Sequence, residues 1–156
     1  SDQGIRADDD MKVSGLLGGV RNRLNDMFSS TVAKEDTRRA TMDLGIGLWT
    51  DDEARYYPMD MVRGAGRVIL DTFAGNRVVI YMDPKTFVLS AAYVDGSDPK
   101  WADDVLRLSD GSYIENGIVY DAAGTRLQGV RPLQVFTRWY GFALTFPKTE
   151  IYGQAN

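Results

Sequence analysis

The chain has 156 residues, a formal net charge of −4 and a pI near 4.8, a balance that argues against a nucleic-acid binder, whose phosphate contacts need a basic face. It contains no Cys and no His. This excludes disulfides, thiolate nucleophiles, iron–sulfur and zinc–thiolate sites, and Ser–His–Asp or Cys–His catalysis, so no metal or cofactor is expected.

Residues Ser1–Asp10 are polar and end in Asp8-Asp9-Asp10, an exposed tail whose acids also suit a helix start. From Met11 to Ser30, Val13, Leu16, Leu17, Val20, Leu24, Met27 and Phe28 recur at i, i+3, i+4, i+7, i+11, i+14 and i+15, one apolar stripe of an amphipathic helix. Gly15, Gly18 and Gly19 weaken that helix, so it needs a surface to pack on. Its own domain, a partner protein and a membrane surface are the candidates; Lys12, Arg21 and Arg23 make only a thin basic face for the last. Gly15-Leu16-Leu17-Gly18-Gly19 lacks the strand before it and the Lys-Ser/Thr after it that a phosphate loop needs. Thr31–Ala40 reads as a polar linker.

The remainder reads mainly as strands. Met42, Leu44, Ile46 and Leu48 alternate with Asp43, Gly45, Gly47 and Trp49. Asp51-Asp52 is a turn, Glu53–Tyr57 pairs back, and Pro58 ends that strand. Arg67–Phe73 and Arg77–Met82 flank Ala74-Gly75-Asn76 as a hairpin. Thr86–Val94 and Val105–Leu108 are further strands, and Asp110-Gly111, Asn116-Gly117 and Ala123-Gly124 punctuate short segments. Turn signals at this density are typical of an antiparallel sheet folded on itself. Phe136, Trp139, Tyr140, Ala143 and Leu144 have helical spacing, with Thr137 as N-cap, though Phe142, Leu144 and Phe146 also alternate as in a strand; Glu150–Tyr152 forms a terminal strand. The expected fold is α+β and β-dominated: an antiparallel, barrel-like domain over residues 41–156, a short C-terminal helix, and an N-terminal amphipathic helix within residues 1–40. No run of about 18 apolar residues exists to span a membrane.

Four stretches carry a resemblance to a known family. Asp52-Glu53-Ala54-Arg55-Tyr56-Tyr57-Pro58-Met59 resembles its "GEARAYPL", and Leu70-Asp71-Thr72-Phe73-Ala74-Gly75-Asn76-Arg77-Val78-Val79-Ile80-Tyr81 its "NDTVGGRPVVVTY". Asp110-Gly111-Ser112-Tyr113 with Tyr120-Asp121 to Leu127 resembles "TGSLWSQLTGEAIAGPLKGKRL", and Thr137-Arg138-Trp139-Tyr140 with Phe146–Tyr152 resembles the closing "TWGEWRALHPDTEVL". The chain thus resembles a divergent member of the bacterial family catalogued as domain of unknown function 3179. Typical members follow the "VVVTY" strand with a Cys-x-x-Cys pair and carry a His before "NDT"; here Met82 and Lys85 replace the cysteines within Met82-Asp83-Pro84-Lys85-Thr86, and Gly66-Arg67-Val68-Ile69 holds no His. A Cys-x-x-Cys beside a His suits thiol redox or soft-metal chemistry, so a site of that kind is lost here. The resemblance also implies export to an extracytoplasmic, periplasmic or membrane-peripheral place.

Candidate contact residues follow. Met82, Asp83, Lys85 and Thr86, with Asp71, mark a repurposed pocket; the plainer reading is a strand-to-turn connection bent by Pro84. Arg131, Arg138 and Trp139 form an aromatic-basic stretch that suits a partner surface or a core. Asp95, Asp98, Asp103 and Asp104 invite a calcium site but lack EF-hand spacing and read as a solvated loop. Asp71, Asp83, Glu115 and Asp121 are conceivable glycosidase carboxylates. The preferred function is a non-catalytic structural or protein-binding module, an accessory subunit of a larger membrane-associated complex, docking through Leu16, Leu17, Val20, Leu24, Met27 and Phe28. The alternative is a small-ligand binder or hydrolase-type enzyme using carboxylates and Lys in a β-lined pocket where Asp71, Asp83 and Lys85 converge.

Overall fold

A computed structural model describes residues 36–154. The expected tail and amphipathic helix at residues 11–30 lie outside the described residues. Among the described residues eleven strands and two short helices follow one another: β1 (Leu44–Trp49), β2 (Ala54–Pro58), α1 (Met59–Gly64), β3 (Val68–Phe73), β4 (Asn76–Met82), β5 (Leu89–Tyr93), β6 (Lys100–Ala102), β7 (Val105–Arg107), β8 (Tyr113–Glu115), β9 (Ile118–Tyr120), β10 (Leu133–Arg138), α2 (Trp139–Thr145) and β11 (Glu150–Ile151). They form three sheets, ordered β10-β1-β2-β11, β3-β4-β5 and β6-β7-β8-β9. Every pairing is antiparallel except β2 with β11. The architecture is therefore β-dominated α+β, in separate sheets rather than a closed barrel.

The apolar pattern explains the layering. Val78, Val79, Ile80, Tyr81 and Met82 of β4 are all buried, so the middle sheet is covered on both faces. On one face Ile69, Phe73, Val78, Ile80, Met82 and Leu89 pack against Ile46, Leu48 and Tyr57 of the first sheet. On the other, Val79, Tyr81 and Ala92 meet Leu106, Ile114 and Val119 of the third sheet. The outer face of the first sheet carries α2, with Trp139 and Phe142 against Trp49, Ala54 and Tyr56. The order of layers is thus α2, first sheet, middle sheet, third sheet.

That stacking gives Gly45 and Gly47 their purpose. They occupy the face of β1 under α2, and a Cβ on Gly47 would overlap the Phe142 ring. The period of two in β1 holds, but its second face is covered by a helix rather than by water.

Two hairpin turns follow the expected chemistry. Ala74-Gly75 and Asn116-Gly117 each place two successive residues at positive φ, as the twist of a tight antiparallel hairpin requires. The first and middle sheets do not close on each other. At one margin the Gln134 amide of β10 accepts from Ala91 N at 2.9 Å and donates to Ala91 O at 3.1 Å, standing in for a missing strand. At the other, Arg55 of β2 donates to the Thr72 carbonyl of β3 at 2.7 Å.

Several elements differ from the sequence reading. Strand Thr86–Val94 begins only at Leu89, because Asp83 draws Thr86–Val88 into a closed loop. β6 arises inside the segment read as an acidic loop. β10 was not legible as a strand, since Phe136 and Trp139 share helical spacing; Phe136 faces the first core as a strand residue, and the helix begins only after Arg138. Thr137 is therefore a β10 residue rather than the cap, and α2 has no side-chain cap. α1, after Pro58, was not anticipated. Among the described residues no helix is long and apolar enough to cross a membrane.

Candidate functional site

The segment after β4, where the sequence placed its candidate pocket, is a built loop. Asp83 Oδ1 accepts from the amides of Lys85 at 2.7 Å and Thr86 at 3.0 Å. The Asp83 carbonyl accepts from Phe87 N at 2.8 Å, and Asp83 N donates to the Val88 carbonyl at 2.9 Å. Pro84 fixes φ at the start of the bend. Thr86 Oγ1 accepts from Val88 N, and Lys85 Nζ reaches Asn116 Oδ1 in the β8–β9 turn at 3.3 Å. This closed frame holds Phe87 at φ 62° with 59% of its surface exposed, and Val88 beside it at 42%. A bulky aromatic in the left-handed region is a genuine outlier, and here the side chain it carries faces water.

The individual candidates have distinct surroundings. Met82 is buried in the core between the first and middle sheets, so it faces no ligand space. Asp83 holds the loop, while Lys85 and Thr86 lie exposed upon it. Asp71 sits on β3 opposite Val78, five residues along β4 from Asp83, or about 17 Å at strand rise. Asp71 therefore does not converge with Asp83 and Lys85.

Asp71 belongs to an inter-sheet strut instead. Its Oδ2 accepts from Tyr57 OH at 2.7 Å and Arg55 NH1 at 2.9 Å. Arg55 also grips Glu150 Oε1 at 2.7 Å and lies over the Phe73 ring at 5.4 Å. Burial, aided by the bond to Asp71, pushes the Tyr57 phenol far above its ordinary range, so it remains a donor. Burial works against the Arg55 charge, and the bond to Glu150 with the charge of Asp71 outweighs it, leaving the guanidinium still harder to deprotonate.

Arg138 and Trp139 anchor the leading segment. Arg138 NH1 donates to the Met42 carbonyl at 2.8 Å, and the fully buried Trp139 donates from Nε1 to the Asp36 carbonyl at 2.8 Å, with Arg38 over its ring. The helix candidates Leu16, Leu17, Val20, Leu24, Met27 and Phe28 lie outside the described residues.

A cleft of about 570 Å³ opens between the middle and third sheets. Thr72, Arg77, Tyr93, Asp95, Asp110 and Asp121 give its polar lining, and Val94, Val119 and Val130 its apolar lining. Asp110 Oδ1 accepts from Ser112 N and Oγ, and Asp121 Oδ1 from Ala123 N and Thr125 N, so each carboxylate already closes a turn. The Ser112 hydroxyl and amide hold the Asp110 carboxyl below its usual 3.8. Among the described residues no three carboxylates group as a metal site requires. Sequence reading missed Phe87, because Phe87-Val88-Leu89 extends an apolar run into β5; the Asp83-Pro84 turn signal just before it was the available clue.

No protein-family model, curated protein or solved structure matches the chain.

Proposed function

We propose that this chain is a non-catalytic protein-binding module, an accessory subunit that presents a preformed apolar contact to another protein. The observation that carries this is Phe87: a loop closed through Asp83 holds an aromatic side chain outward in a backbone conformation that only a rigid frame maintains. A fixed aromatic loses little conformational freedom on binding, the property of an interface anchor. In this reading Asp83, Lys85 and Thr86 are the frame. The amphipathic stripe Leu16–Phe28 adds a second contact to a membrane-associated complex. The order of the four stretches supports divergent membership of domain of unknown function 3179, and with it an extracytoplasmic place. Replacement of that family's cysteines by Met82 and Lys85 fits a site turned from chemistry to contact.

A photo-crosslinking residue at position 87 of the full chain, in its source cells, tests the reading. It should give one dominant protein adduct that the same residue at exposed Arg63 of α1 does not give. No adduct, or the same adducts from both positions, contradicts it.

A second reading, small-ligand binding by carboxylates, finds its support in the cleft at Tyr93, Asp110 and Asp121. A ligand there should raise the melting temperature of the wild type and not of Asp121→Asn.

A further inference from the structure

The third sheet has a second face. Leu106, Ile114 and Val119 point inward, so the residues alternating with them point away from the core. Register then aligns one row across the sheet: Lys100 opposite Arg107, Arg107 opposite Tyr113, and Tyr113 opposite Tyr120. An isolated bridge from Tyr120 to Arg126 extends it. At about 4.8 Å per strand the row is about 19 Å long. Residues so distant in sequence meet only through strand register.

The row is ordered before any ligand arrives. The Tyr113 and Tyr120 rings stack at 5.0 Å with an interplanar angle of 20°, and the Arg107 guanidinium covers Tyr113 at 5.4 Å. Lys100, Arg107 and Arg126 are exposed, and none has an ion-pair partner among the described residues. A cationic strip on a chain of net charge −4 runs against the general sign of the molecule. At physiological salt the screening length is about 8 Å, so such a strip is felt locally and acids farther off than that count little. The sheet's own acids lie off the row, Glu115 in the neighbouring one and Asp103 and Asp104 at the β6–β7 turn.

We propose that this face docks an acidic peptide segment of a protein partner. Charge complementarity selects an anion. The Tyr113 ring is in contact with both Tyr120 and Arg107, which leaves less of its face for a base or a sugar, and Tyr with Arg is the composition of protein interface anchors. The surface is distinct from Phe87, and either can fail without the other.

The test is fluorescence anisotropy with the full chain at physiological ionic strength. The probe is a fluorescein-labelled peptide of alternating Glu and Leu, with alternating Lys and Leu as control. Saturable binding of the Glu peptide alone is expected. Arg107→Glu and the charge-preserving Tyr120→Ala should each weaken it by about tenfold or more while the chain stays folded by circular dichroism, and Phe87→Asn leaves it intact. Absence of saturable binding, indifference to both variants, or tighter binding of a polyuronate or a single-stranded RNA than of the peptide would overturn the assignment.

Discussion

Phe87 is the residue whose backbone and side chain pull in opposite directions. A left-handed conformation costs a residue with a Cβ about 1–2 kcal/mol, and Asn tolerates it better than any bulky aromatic. Phe87→Asn should therefore stabilise the fold by up to about 1 kcal/mol in chemical denaturation while losing the partner in a pull-down from source cells. A loss of stability would mean that the ring serves packing instead. Asp110 gives a second test at this scale. Because Ser112 depresses its pKa in the folded state, its contribution is present above the unfolded value near 3.8 and is lost as pH falls through the lower folded value. In thermal melts the advantage of wild type over Asp110→Asn should shrink as pH drops below about 4. The Asp83-Pro84 turn was legible from its residue types. The conformation of Phe87 was not, since it is imposed by bonds that close around it.

Among the elements, β1, the β3–β4 hairpin and the turn at Asn116-Gly117 were readable because alternation and Gly-containing turns are local signals. β10 was not. Phe136 and Trp139 sit three apart, the spacing of a helix face, yet they enter different cores because the chain passes from strand to helix at Arg138. Tertiary pairing with β1, rather than local preference, decides that segment. β10 also seals the open margin of the middle sheet through Gln134. Gln134→Leu removes both bonds to Ala91 and should cost about 1–3 kcal/mol. The Ala91 amide should then exchange hydrogen faster than its neighbours in β5, and unchanged protection there would remove the edge-capping role.

The whole molecule depends on how its layers are fastened. The middle sheet's two apolar faces were visible as the run Val78–Met82, but the fastening by Arg55 was not, because it joins residues from β2, β3 and β11. Arg55→Leu leaves Asp71 and Glu150 without their cation and should cost about 1–2 kcal/mol in denaturant unfolding. A cost near zero would mean that the apolar core alone holds the sheets. Asp71, Asp83 and Arg138 are engaged in structural bonds, while Phe87 and the sheet-face cations Lys100, Arg107 and Arg126 stand exposed. Native mass spectrometry of the chain purified at its natural abundance asks most directly whether it exists to hold another protein. A complex of fixed stoichiometry with a second polypeptide, dissociated by Phe87→Asp, is the predicted spectrum; wild-type chain flying only as a free monomer is the contradictory one.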